Sequence, residues 1–336
     1  MKKEKILITG GAGYIGSVIA TKALESGYKV KVLDALYYDT STPLIHFGNP
    51  NYEFEKVDIA DEAFLDKHFT DIDYVVHTAA MVGEPLSKKL PDLTSKINRE
   101  ASCKIIDRLK KVNIKGFIFL STCSNYGAQD GLASEDSPLK PLSLYARTKV
   151  DVERHLMDAA KDLDWVICRL STAYGISPRM RFDLTVNDFA MTAYTKRNLD
   201  IYLPYTYRPY IHVFDISRVV IKMIENFSRV KKNVFNVGFK GENYQKIQIA
   251  EIVKRFIQDL KIKTVTKGND IRDYKVNFSK LKKYLDIEKT FGVEDGVRQT
   301  LRILEGRLIK NPYDPKYYNT SIDLSKLEKT KSLLGA

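Results

Sequence analysis

The stretch KILITGGAGYIGSVIATKALESG, residues 5–27, constrains this chain more than any other. Residues 5–9 form a short apolar run of the kind that makes a buried strand, and apolar residues then recur at helical spacing until Gly27 ends the pattern. Between strand and helix, Gly10, Gly13 and Gly16 fall three apart, with Tyr14 and Ile15 completing the turn. A turn of this kind lets the backbone reach positive φ and approach a pyrophosphate closely. The helix that follows offers free N–H groups and the positive end of its dipole to that anion.

The next strand pattern, YKVKVLD, ends in Asp34, eighteen residues after Gly16. A carboxylate at that distance accepts from a ribose 2′-OH and repels a 2′-phosphate, so NAD is expected rather than NADP. Further strand patterns lie in YEFEKVDI, DYVVHTAA and GFIFLST, with helical patterns at 60–68 and 92–111 between them. Such alternation predicts an α/β protein: a Rossmann-type, doubly wound parallel sheet. Ligands then sit beyond the carboxyl ends of the strands, where Asp58 and Ile59, Ala79 and Ala80, and the segment STCSNYG at 121–127 all fall.

SLYARTK places Tyr145 and Lys149 four apart in a segment that continues helically, so phenol and ammonium share a helix face. A lysine and a cationic nicotinamide favour the phenolate of such a tyrosine, which could then take a proton from an alcohol. Cys123 has no histidine close in sequence to activate it as a nucleophile. The three cysteines are widely spaced, without CxxC pairing, and no metal-ligand spacing occurs. A net charge of +12 is spread over scattered lysine pairs rather than a basic block, which argues against nucleic acid and suits a small anionic substrate. No signal-peptide or membrane-insertion pattern is found, so a cytoplasmic location is expected.

Taken in order, TGGAGYIG, Asp34, the DI at 58–59, HTAA at 77–80, the hydroxyl motif ending in YG, YxxxK, RLSTAYG at 169–175, RPYIHVFD at 208–215 and NVG at 236–238 resemble the extended short-chain dehydrogenase/reductases, specifically the nucleotide-sugar epimerase/dehydratase family. The resemblance spans Gly10 to about Leu301. It implies a Rossmann domain over 1–175 and a smaller substrate-binding lobe mainly over 176–309 with returns to the first domain, while the polar, tyrosine-rich tail over 310–336 lies beyond the family core. It also implies a homodimer and a nucleotide-diphosphate sugar as substrate.

By the same resemblance Thr122 carries the catalytic hydroxyl, which with Tyr145 bonds the reacting sugar oxygen, while Lys149 holds the nicotinamide ribose. Asn187, Arg208 and Arg272 match positions that grip the diphosphate or sugar, with Arg179 and Arg181 as runners-up, and Thr172 falls at the sugar pocket. Where related dehydratases carry Asp-Glu, this chain has Cys123 and Ser124, also expected at the substrate. A thiol and an alcohol cannot readily do the acid and base work of eliminating water at neutral pH. The expectation is therefore an NAD-dependent 4-dehydrogenase or 4-epimerase, with GDP-heptose in surface-polysaccharide (capsule) biosynthesis as a specific possibility. A 4-keto-sugar reductase and a non-catalytic NAD-binding protein that binds a partner protein or RNA are the alternatives.

Overall fold

A computed structural model describes residues 3–38, 40–61, 67–159, 162–268 and 272–322. Strands β1 (Lys5–Thr9), β2 (Lys29–Asp34), β3 (Tyr52–Lys56), β4 (Tyr74–His77), β5 (Gly116–Thr122), β7 (Trp165–Leu170) and β11 (Asn233–Val237) make one sheet. Its order is β11-β7-β5-β4-β1-β2-β3, and every neighbouring pair is parallel. The chain winds outward from β1 to β3 and then reverses through β4. The crevice beyond the carboxyl ends of β1 and β4 is therefore the switch point of the sheet.

Both faces of this sheet are covered, which is why its central strands read as unbroken apolar runs. Ile6 and Ile8 of β1 pack into a cluster with Ile19, Val219, Val220 and Met223, from helices Gly16–Glu25 and Val213–Glu225. Leu7 points the other way, into a cluster with Ile105 and Ile106 of helix Ser102–Leu109 and Val152 and Leu156 of helix Leu144–Ala159. The period-2 alternation of a strand thus serves two helical layers at once.

The single helix expected over 92–111 is broken into helix Pro91–Ser95, a π-helical stretch Lys96–Ala101 and helix Ser102–Leu109. The widened stretch presents the fully buried Asn98, whose amide accepts from the Met81 N–H at 2.7 Å and donates to the Met81 carbonyl at 2.9 Å. The loop after β4 is pinned there, on the rim of the crevice. Residues 62–66 of the helix expected at 60–68 lie outside the described residues.

A second lobe is built from the small sheet β12-β10-β8 (Asn243–Gln245, Tyr207–His212 and Thr172–Tyr174) and the parallel pair β9 (Asn198–Tyr202) and β13 (Lys261–Val265). Helices Thr185–Lys196, Lys246–Lys254 and Val293–Glu305 close its core around Val186, Ala190, Ile201, Ile249, Val253 and Val297. Strand β6 (Ala128–Ala133) pairs in parallel with β14 (Asp273–Val276), which brings Arg272 and Tyr274 to the turn that follows β5. Among the described residues no helix is long and apolar enough to cross a membrane.

Candidate active site

The crevice at the switch point holds a cleft of about 1100 Å³, partly open to solvent. Gly10, Gly13, Tyr14, Ile15 and Gly16 line one side of it. Gly10 sits at φ +71°, and a Cβ there would stand 2.6 Å from the Ala79 backbone; one on Gly16 would stand 2.3 Å from the Gly10 carbonyl oxygen. Only bare backbone keeps this turn folded over the N-terminus of helix Gly16–Glu25.

Asp34 closes one end, its carboxylate accepting from the Ala12 N–H at 3.0 Å and the Leu36 N–H at 2.8 Å. Burial raises its pKa, and those two N–H groups and the Arg179 guanidinium oppose the rise. Asp58 and Ile59 line the cleft after β3, and Ala79 and Ala80 after β4. The Asp58 carboxylate is fixed by the Tyr37 hydroxyl at 2.6 Å and the Ala60 N–H at 2.9 Å.

Tyr145 and Lys149 line the same cleft, carried by helix Leu144–Ala159. The Lys149 ammonium donates to the Leu120 carbonyl at 2.9 Å and lies 4.7 Å from the centre of the Phe119 ring. Burial pulls its pKa down to about 7, against the pull of Glu153. The Tyr145 phenol is pushed up to about 12 by burial, while the Arg181 charge and a hydrogen bond with Thr122 act the other way. Thr122 Oγ1 also accepts from the Ser124 N–H at 3.1 Å, which fixes its rotamer at the end of β5. Tyrosine, threonine and lysine therefore meet where β5 ends and the helix begins.

Beneath them runs a buried polar lattice. Glu153, one turn past Lys149, receives the Arg169 guanidinium at 2.8 Å, the Ser121 hydroxyl at 2.5 Å and the Asn125 amide at 2.8 Å. Arg169 also donates to the Tyr126 hydroxyl at 3.0 Å, and Tyr126 donates to Asn236 at 2.6 Å. These contacts clamp both ends of the segment that presents Thr122.

On the substrate side, Arg272 reaches Ser124 Oγ at 3.3 Å, Ser124 lies 3.4 Å from the Tyr274 hydroxyl, and the Arg208 guanidinium stands 5.3 Å from the Tyr274 ring centre. Thr172 lies half-buried on β8, opposite Tyr210 of β10. Two residues expected at the substrate are placed elsewhere. Cys123 is 1% exposed and donates its thiol to the Arg169 carbonyl at 3.1 Å, because the 3₁₀ turn after β5 rotates it inward against Tyr126 and Phe278. Burial raises its pKa well above the usual thiol range, leaving an inert wall residue. Asn187 is fully buried and spends its amide on Gly175 N–H (2.9 Å), the Gly175 carbonyl (3.2 Å), the Arg181 carbonyl (2.9 Å) and the Tyr14 hydroxyl (3.3 Å). It satisfies the backbone of a buried turn, and its amide is spent on protein groups. Asn125 is likewise buried against Ser121 and Glu153.

Sequence reasoning missed Tyr37, Tyr274, Glu153 and Asn319. The adjacent pair Tyr37-Tyr38, three residues past Asp34, and the third member of the Tyr145, Lys149, Glu153 series were the available signals. Nothing in the local pattern around 319 pointed to the cleft, which its residue nonetheless lines.

A tyrosine and a lysine one turn apart on a helix that opens beside a glycine-cradled dinucleotide cleft are the arrangement of the extended short-chain dehydrogenase/reductases, and this protein is one of them. Residues 6–238 match the NAD dependent epimerase/dehydratase family, to which the chain belongs. It is 28% identical over 291 residues to a putative UDP-glucose 4-epimerase from Methanocaldococcus jannaschii, covering 84% of this chain and 90% of that one. It is 27% identical over 329 residues to Protein CapI of Staphylococcus aureus, covering 88% and 96%. Among solved structures, UDP-glucose 4-epimerase from Thermotoga maritima with UDP-glucose superposes with a TM-score of 0.79 at 27% identity, over 90% of this chain and 99% of that one. NAD is the cofactor, and the residues fit it: a cradle that any Cβ would fill, an acidic strand end for the ribose, and a buried arginine on the far wall.

Proposed function

We propose that the protein is an NAD-dependent nucleotide-sugar 4-epimerase, working by transient oxidation of the C4 carbinol. The observation that carries this reading is the meeting of Tyr145, Thr122 and Lys149 at one end of the cleft, with no carboxylate at positions 123 and 124. Bound NAD supplies the acceptor for a hydride. Thr122 orients the sugar hydroxyl, and Tyr145, as phenolate, accepts its proton while the C4 hydrogen leaves with its electron pair. Lys149 lowers the cost of the phenolate by its charge, and the buried Glu153 beside it favours the ammonium form. Once the 4-keto sugar has turned its other face toward the cofactor, Tyr145 would return the proton to the C4 oxygen and C4 would be left inverted.

Elimination of water needs a base at C5 and an acid at C6. Cys123 faces away into the wall, and Ser124 is an alcohol held by Arg272, so neither suits that work. Arg272, Arg208 and Tyr274 supply two guanidinium groups and a phenol for the substrate's diphosphate. The relatives named as 4-epimerases support the C4 assignment.

The test is incubation with GDP-, UDP-, dTDP- and CDP-sugars in D2O, followed by NMR and by absorbance of the reduced cofactor. An inverted C4 without net reduced cofactor is expected. An accumulated 4-ketone with stoichiometric reduced cofactor would instead identify a 4-dehydrogenase, for which GDP-heptose is the first substrate to try. Deoxygenation at C6 would overturn the reading of residues 123 and 124.

A further inference from the structure

The dinucleotide must run from Asp34, where the adenosine ribose is held, to Lys149 and Tyr145 at the nicotinamide end. Its pyrophosphate then lies over the glycine turn, midway along the cleft. Residues 176–184 of the second lobe abut that turn, with the Ser177 hydroxyl donating to the Tyr14 carbonyl at 2.7 Å, and they place Arg179 and Arg181 in the cleft lining.

The two arginines differ. Arg181 is neutralised locally by Asp183, at 2.8 and 3.1 Å. Arg179 is 5% exposed, stacks 4.1 Å from the centre of the Tyr38 ring and donates one N–H to Asn319 Oδ1 at 2.6 Å. Its Nε and Nη2 are buried with no hydrogen-bond partner among the described residues. A buried guanidinium with open donors is costly unless an anion meets it. Among the described residues, the charged groups that face it are Arg181, Asp183, Asp34 and the Tyr38 phenol, and its hydrogen bond goes to an amide rather than a carboxylate. The substrate-side cations Arg208 and Arg272 belong to a different cluster, around Ser124 and Tyr274, outside the lining of this cleft.

We propose that Arg179 is a pyrophosphate clamp: it binds the bridging diphosphate of NAD from the side opposite the glycine turn, with Asn319 of the C-terminal segment holding it in place. This moves Arg179 from the substrate diphosphate, where sequence reasoning put it, to the cofactor. A planar fork with two open donors matches two phosphate oxygens, and the two walls together would surround the anion with backbone N–H groups on one side and guanidinium on the other.

The experiment uses full-length protein stripped of nucleotide and titrates NAD, ADP-ribose and adenosine calorimetrically into the wild type and Arg179→Met. The variant should bind NAD and ADP-ribose about 10- to 100-fold more weakly, with adenosine changed less than about twofold. Its nucleotide-free thermal midpoint should equal or exceed that of the wild type, because a buried guanidinium with two unmet donors has been removed. Arg179→Lys, which keeps the charge and loses the fork, should give an intermediate loss and carries the test if the methionine variant folds poorly. Unchanged NAD and ADP-ribose affinity, an equal loss for adenosine, or a loss confined to the nucleotide sugar would each overturn the proposal. None of these readouts depends on turnover, so the clamp and the 4-epimerase reading fail separately.

Discussion

At the scale of single residues, burial moves the titratable groups of the site away from their ordinary pKa values. Tyr145 is pushed up to about 12 by burial, so on the proposed mechanism the phenolate would have to be stabilised by Lys149 and the cationic ring of the cofactor. Tyr145→Phe should cut kcat by about 100- to 10,000-fold while NAD binding by calorimetry stays intact. Lys149 carries a folded-state pKa of about 7 against 10.5 in the free side chain. Between those values the unfolded chain binds more protons, so nucleotide-free protein should gain stability from this residue as pH rises from 7 toward 10. Urea denaturation of the wild type and Lys149→Met should show the wild type gaining on the variant across that window; a constant difference would count against the burial of the charge. Thr122 and Asp34 could be located in the sequence because motif spacing fixes them to strand ends. Cys123 and Asn187 could not, since their orientation depends on how a 3₁₀ turn and a buried loop rotate the side chain, which spacing does not encode.

At the scale of elements, helix Leu144–Ala159 does three things along one face. Tyr145 hydrogen-bonds Thr122 in the cleft, Lys149 donates to the Leu120 carbonyl, and Glu153 anchors the helix to β7 through Arg169 and to β5 through Ser121. Because that pair is fully desolvated, Glu153→Ala should cost about 3–5 kcal/mol in chemical denaturation by leaving Arg169 buried alone. The double change Glu153→Met with Arg169→Met should cost clearly less than the sum of the two single changes. In the glycine turn, Gly16→Ala would force a methyl against the Gly10 carbonyl, and loss of NAD binding with the sheet's far-UV signal retained is the expected result. The main sheet and its winding were readable because each strand is a local run with a local period. The β6–β14 pairing that delivers Arg272 and Tyr274 was not, because it joins residues more than 130 positions apart and neither strand is strongly apolar. Nor was the π-helical stretch, which carries the buried Asn98.

At the scale of the molecule, the last described segment ties the two lobes together. The Thr195 and Tyr313 hydroxyls lie 2.7 Å apart, Phe182 N–H donates to the Tyr317 carbonyl at 3.1 Å, and Asn319 N–H donates to Asp183 at 2.9 Å. Asn319 also donates to the Val82 carbonyl at 3.3 Å, and Lys89 to the Thr320 carbonyl at 2.9 Å, both in the sheet lobe. A polar, tyrosine-rich tail gave no sign of this role, since its contacts are separate hydrogen bonds, the packing of Tyr317 and Tyr318 and one buried side chain, Ile322, rather than an apolar stripe. A chain ending at Lys310 should keep its secondary structure by circular dichroism yet release bound NAD at least several-fold faster in a displacement assay.

That crossing segment has a consequence for metabolism. If the dinucleotide leaves only when residues 311–322 peel away, its electrons are not in rapid exchange with the free pool. Throughput then becomes insensitive to the cell's ratio of oxidised to reduced nicotinamide, and the same molecule of cofactor serves one turnover after another.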